Sequence, residues 1–135
     1  MNEEKIRWLK SYRGLLAEIE RTRREIERWR SIAEKVTPTL STVRFTVPDG
    51  SRIENAVEKI DTLRDSMAAK MDELIGRRIQ IEQAIESVED DRLRRLLRYR
   101  YIDGMTFEAI ACEMGLSRQW VHRLHHEALK LLPLD

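Results

Sequence analysis

The sequence predicts an all-α protein, a long antiparallel helical hairpin followed by a three-helix helix-turn-helix domain. Three observations carry this. Charged residues make up 36% of the 135 positions and hydrophobic ones 41%, with only five Gly and three Pro, a composition suited to long helices with exposed charged faces. Two runs, 3–36 and 51–88, repeat apolar residues at a mixed three-and-four spacing that keeps one helix face apolar. Residues 103–132, DGMTFEAIACEMGLSRQWVHRLHHEALKLL, set a glycine turn between two segments that each begin with a capping residue. The expected division is 1–88, a coiled-coil-like hairpin with its connector at 37–50, and 89–135, the helix-turn-helix domain.

In the first helix, 3–36, Ile6, Leu9, Leu16, Ile19, Ile26, Trp29 and Val36 form the seam, and Arg21, Arg23, Arg24, Glu25, Glu27 and Arg28 crowd the other faces. Thr37-Pro38 is the expected stop, because the residue before a proline is pushed out of helical geometry. The connector TPTLSTVRFTVPDG alternates over Val43–Val47, which would allow a brief strand, but no second strand is evident, so an extended loop is expected. Pro48-Asp49-Gly50 is a turn signal.

The second helix, 51–88, opens with Ser51 and Glu54 at the spacing of a reciprocal cap. Its seam is Ile53, Val57, Ile60, Met67, Met71, Leu74, Ile81, Ile85 and Val88. Arg64 and Arg78 fall in that seam, each beside an apolar neighbour, Leu63 or Ile79, able to take its place. At about 1.5 Å per residue the two helices come to roughly 51 and 57 Å. Neither can bury its stripe alone, and an antiparallel hairpin buries both.

Glu89-Asp90-Asp91 places acid where the positive end of a helix dipole favours it. Leu93, Leu96, Leu97 and Tyr101 then face inward as the first helix of the terminal domain. Thr106 caps the next helix, whose stripe is Phe107, Ile110, Ala111 and Met114, with Cys112 also on the inward side. Gly115 ends it where a positive φ is cheap. Leu116 plugs the turn, and Ser117 caps the last helix, which turns Val121, Leu124, Ala128 and Leu131 inward. Arg118, Gln119, His122 and Arg123 are left on open faces. A helix presented this way fits the DNA major groove, where Arg pairs with guanine and Gln with adenine. Ser117 can both cap the helix and donate to a phosphate. The five residues expected to bind DNA are therefore Ser117, Arg118, Gln119, His122 and Arg123. A solvated helix face is the plainer reading of the same residues.

The stretch YRYIDGMTFEAIACEMGLSRQWVHRLHHEALKLL resembles region 4 of bacterial sigma-70-type factors. Within that group it is most similar to small phage-encoded late regulators of the ArpU and RinA kind. The shared elements are L-R-Y-R-Y-I-D-G before the motif, F-E-A-I-A in its first helix, M-G-L-S at the turn and V-H-R-L-H-H-E-A-L in its second. The resemblance covers the last third of the chain well and the coiled middle more loosely. It implies a sigma-region-4-like fold, double-stranded DNA as ligand, regulation of phage or prophage transcription, and RNA polymerase as a further partner. Sigma tails commonly carry an acidic residue after the first Arg of the recognition helix. Gln119 and Trp120 stand in that neighbourhood here, so the consensus promoter-element specificity is not carried over.

The remaining features bound the function. The formal net charge is +1, but acid gathers at Glu82, Glu86, Glu89, Asp90 and Asp91 and base at Arg92, Arg94, Arg95, Arg98 and Arg100, so a small face can be positive within a balanced whole. The Arg92–Arg100 cluster would meet phosphate or polymerase, or else pair with acids of the hairpin. Trp29 lies on the seam and reads as packing, whereas Trp120 would reach a sugar or a thymine methyl, or lie against the hairpin. His122 and His126 are four apart, as metal sites use, but no third ligand is suitably spaced, so no metal or cofactor is expected. No nucleophile–base pair or phosphate loop is discernible, so no enzymatic activity is expected. No apolar run is long enough to cross a bilayer and Met1–Lys10 is rich in charge, so no membrane role and a cytoplasmic location are expected. The heptads and charged faces would let two chains pair. Two other readings remain: a DNA-packaging protein of the phage small-terminase kind, and a helical interaction module that binds no DNA.

Overall fold

The computed structural model describes residues 2–42 and 50–133. Among these there are five α-helices and no strand: α1 (Asn2–Thr42), α2 (Gly50–Glu86), α3 (Asp91–Leu97), α4 (Phe107–Met114) and α5 (Arg118–Leu131). A π turn, Arg98–Ile102, follows directly on α3. The all-α prediction holds, with long helices followed by the three-helix domain.

The chain packs as two compact units, one of residues 1–16 with 73–135 and the other of residues 17–72. Packing therefore does not divide the chain at residue 88. In the first unit, Leu9 and Tyr12 of α1 and Ile81, Ala84 and Ile85 of α2, with Val88 just beyond, share one core with the terminal helices. From those helices come Leu93, Leu96 and Leu97, Tyr101 of the π turn, Ile110 and Ala111, then Val121, Leu124, Ala128, Leu129 and Leu132. Two short helices and a third of 14 residues have too little apolar surface to make a core alone, and small domains are marginal for this reason. The ends of the long helices supply the missing layer. Polar ties accompany it: Lys5 Nζ donates to the Leu129 carbonyl at 2.7 Å, Arg77 to Ser11 Oγ at 2.6 Å, and Arg78 to the Tyr12 hydroxyl at 2.8 Å.

In the second unit α1 and α2 run antiparallel. Glu18 meets Lys70 at 3.8 Å, while Trp29 and Ile32 line a groove with Ile53 and Ala56, so later residues of α1 meet earlier residues of α2. The core here is thin: Ile26, Ala56 and Ile60 are buried, with Thr22 among them, its hydroxyl satisfied by the Glu18 carbonyl at 2.9 Å.

Several expectations about the long helices change. α1 continues through Pro38 to Thr42, so residues 37–42 of the expected connector are helical. The clash before a proline raises the energy of a helical turn without forbidding it, and the missing N–H removes one hydrogen bond. The alternating Val43–Val47 and the Pro48-Asp49 turn lie outside the described residues. α2 starts at Gly50, which puts Ser51 within the first turn, and the expected Ser51–Glu54 cap involves a side chain outside the described residues. Val57 and Met71 leave the seam, at 48% and 45% exposed, while Ala56 is buried. The seam keeps its seven-residue step through Ile53, Ile60, Met67, Leu74 and Ile81, but its second line lies three residues after the first, at Ala56, Leu63 and Ala84, rather than four. Leu63 does take the place of Arg64, as half-buried. Ile79 does not replace Arg78, being 51% exposed, because Arg78 faces α1 and bonds both Tyr12 and Glu82. No helix among the described residues is long and apolar enough to cross a membrane.

Candidate nucleic-acid interface

The terminal helices are set by their caps. Ser87–Asp90 breaks the chain from α2, and the Asp90 carboxylate accepts from the N–H groups of Arg92 (2.8 Å) and Leu93 (3.2 Å). The break at 88–91, undecided in the sequence, is thus an N-cap. The Arg98 carbonyl accepts from Asp103 N at 3.0 Å, five residues on, which defines the wider π turn and carries Tyr101 into the core at 2% exposure. Thr106 Oγ1 accepts from Ala109 N at 3.1 Å. Gly115 takes φ 66°, ψ 35°, and the Leu116 N–H reaches back to the Ala111 carbonyl at 2.9 Å, the six-residue closure of a glycine-ended helix. Ser117 Oγ then accepts from Trp120 N at 3.1 Å, starting α5 three residues after α4 ends.

All five expected contact residues lie on one helix start and its open face. Ser117, Arg118, Gln119, His122 and Arg123 are each exposed, while Val121, Leu124 and Ala128 of the same helix are buried. Arg118 reaches across to Glu108 of α4 at 3.2 Å, both side chains being more than 60% exposed. Such an exposed pair contributes about 0–1 kcal/mol, so a phosphate can displace Glu108 at little cost. Trp120 is 40% exposed on the open side, with the Arg123 guanidinium 5.9 Å from its ring centre. His126 and Lys130, which are not among the five expected DNA contacts, line one groove with His122, Arg123 and Glu127. Their i, i+4 and i, i+8 offsets from His122 were the available signal.

Behind the open face lies an aromatic support. The Phe107 ring is 4.6 Å from His122 and 5.0 Å from His125, and the Arg100 guanidinium lies 4.1 Å above Phe107. One hydrogen bond of 2.6 Å joins Tyr101 Oη and His125 Nε2. Burial pushes the His125 imidazole down to about 4, with Arg100 the next cause and His122, His126 and Lys10 adding to it. Burial likewise pushes the Tyr101 phenol up to about 12. Both are therefore neutral near pH 7, and His125 is a structural residue while its neighbour His122 is free to face a ligand. His126 is drawn toward α1, its Nδ1 lying 3.3 Å from Asn2 Nδ2.

Two inward assignments on the motif are corrected. Cys112 is exposed, because the stripe through Ile110, Ala111 and Met114 leaves it about a third of a turn outside the buried arc. Leu131 is 60% exposed, and Leu129 and Leu132 are buried instead. α5 ends at Leu131, and Leu132, extended at ψ 122°, carries its own side chain into the core. The Arg92–Arg100 cluster divides. Arg94 and Arg95 each meet Asp91 at 3.3 Å, and Arg98 pairs with Glu86 of α2. Arg100 alone among these four turns toward the motif, bonding the Met105 carbonyl at 3.0 Å.

A capped three-helix unit, glycine turn and open polar recognition face define a helix-turn-helix DNA-binding domain. Residues 90–132, about a third of the chain, match the family Sigma-70, region 4. The terminal domain is accordingly sigma-region-4-like. No curated protein and no solved structure matches the chain.

Proposed function

We propose that this protein is a sequence-specific, non-enzymatic DNA-binding regulator of transcription, acting in the cytoplasm on phage or prophage genes. The observation that carries the reading is the capped helix α5, whose Ser117, Arg118, Gln119, His122 and Arg123 stand exposed on one side of a buried apolar stripe. Family similarity over 90–132 supports transcription as the setting. α5 enters the major groove with its N-terminal turn toward the base edges. Arg118 and Gln119 supply paired donors and acceptors for purines, and Ser117 and Arg123 hold phosphates. The similarity to late regulators supports the phage setting and RNA polymerase as a second partner. Pairing of two chains is supported by Ile75 and Ile79, one turn apart on α2 and 57% and 51% exposed.

The test is selection of bound fragments from source DNA with intact protein and with Arg118→Ala/Gln119→Ala protein. The intact chain should enrich one discrete motif, and the variant should lose that enrichment while its circular dichroism and melting stay the same. No enrichment by intact protein, even at low salt, would sink the reading.

A further inference from the structure

A second cationic surface lies beside the motif, and two of its three cations come from α1. Lys10 and Arg13 of α1, with Arg100 of the π turn, line a recess of about 190 Å³ whose remaining walls are Tyr101 and Gly104. A liquid water occupies about 30 Å³, so the recess admits a tetrahedral oxyanion with part of its hydration. Two of the three cations are held there by fixed groups. Arg13 donates to the Ile102 carbonyl at 3.3 Å and lies against Gly104, whose φ of 73° and absent side chain leave room for the guanidinium. Arg100 is pinned between the Met105 carbonyl and the Phe107 ring. Among the described residues, no carboxylate makes an ion pair with Lys10, Arg13 or Arg100. Asp103, next to Gly104 in sequence, leaves them unpaired too. Three unneutralised cations facing one recess is an arrangement with a strong attraction for a multivalent anion.

Position favours the DNA backbone over a free anion. Arg100 stacks on Phe107, and Phe107 stacks on His122 of the open face of α5, so the recess adjoins the recognition helix. We propose that Lys10, Arg13 and Arg100 bind a backbone phosphate of the same duplex that α5 reads, which makes α1 part of the DNA-binding surface. This rests on the DNA-reading function above.

The test is the salt dependence of duplex binding by the full chain. Each phosphate neutralised contributes about 0.9 to the slope of log K against log salt. Lys10→Ala/Arg13→Ala protein should show a slope lower by about 0.9, the loss of one phosphate contact, uniformly across DNA sequences and without loss of motif preference. Arg13→Lys, which keeps the charge, should retain the intact slope. Lys59→Ala, an exposed cation elsewhere on α2, should also retain it. Because Arg13 packs on Gly104, Lys10→Gln alone serves as a variant that leaves that contact in place, and it should lower the slope in the same direction by less than the double variant does. An unchanged slope in both variants, with intact protein still selecting its motif, overturns this proposal and leaves the reader intact. An equal fall in Lys59→Ala also overturns it. Inorganic phosphate titrated without DNA supplies the other arm: millimolar binding lost in the double variant, with no change in the DNA slope, assigns the recess to a free anion. Absence of any salt-dependent duplex binding by intact protein would remove the reading on which the proposal stands.

Discussion

His125 shows how one side chain can be decided by its surroundings more than by its type. Three histidines sit within five positions of α5, and the sequence offers no rule to separate them. Of the three, His122 and His126 are exposed and only His125 is half-buried, against Tyr101 and Phe107. Its folded pKa of about 4 lies below the ordinary 6.5, so the unfolded chain binds the extra proton first as pH falls. Stability from this group is fully present above pH 6.5 and is lost progressively as pH falls toward about 4. Thermal melts of intact and His125→Asn protein across that window should diverge at neutral pH and converge near pH 4. Parallel curves would mean the imidazole does not resist protonation. The exposure of Ser117, Arg118, Gln119, His122 and Arg123 was more readable, because a Ser cap fixes where α5 starts and the buried Val121 and Leu124 fix which way it turns. Arg100 was not separable from Arg92, Arg94, Arg95 and Arg98 by charge. Its distinguishing partner, Phe107, lies in the next helix.

At the level of helices, the terminal domain was legible because its punctuation is local. Asp90, Thr106, Gly115 and Ser117 each act on backbone groups within three or four residues. An N-cap replaced by alanine costs about 1 kcal/mol. Asp90→Ala should therefore lower the urea midpoint modestly without changing the slope of the transition. Gly115→Ala, placed at φ 66°, should lower it by a similar amount, since a left-handed residue with a side chain is strained by about 1–2 kcal/mol. No change in either would show that packing, not capping, fixes these ends. The π turn had no comparable signal. One extra residue in a turn is chosen by where Tyr101 must point, and the sequence R-Y-R-Y-I says nothing of that target. The long helices were legible as helices and less so as faces. On α2 the second line of the seam stands three residues after the first instead of four, so Ala56 is buried where Val57 was expected, a choice that apolar spacing alone leaves open.

For the molecule as a whole, the main surprise is which parts share a core. Leu9, Ile81 and Ile85 are fully buried against the terminal helices. Periodicity marked them only as members of a hairpin seam, since the pattern shows that a face is apolar and not what covers it. Burying a large aliphatic side chain contributes about 1.5–3 kcal/mol, so losing these three with Tyr12 and Val88 approaches the 5–15 kcal/mol that holds a typical domain together. A fragment of residues 89–135 is therefore expected to lack a cooperative thermal transition and to bind its DNA weakly, whereas the full chain melts sharply. A fragment that melts as sharply as the full chain would show the terminal helices to be self-sufficient. The same shared core bears on how the protein comes off the ribosome. Lys5 and the Leu129 carbonyl it bonds are 124 positions apart. At about 5–20 residues per second of synthesis, roughly 6 to 25 s separate the two. Throughout that interval Leu9 and Tyr12 have no terminal helix to cover them. The core of this unit closes only when α5 returns to α1.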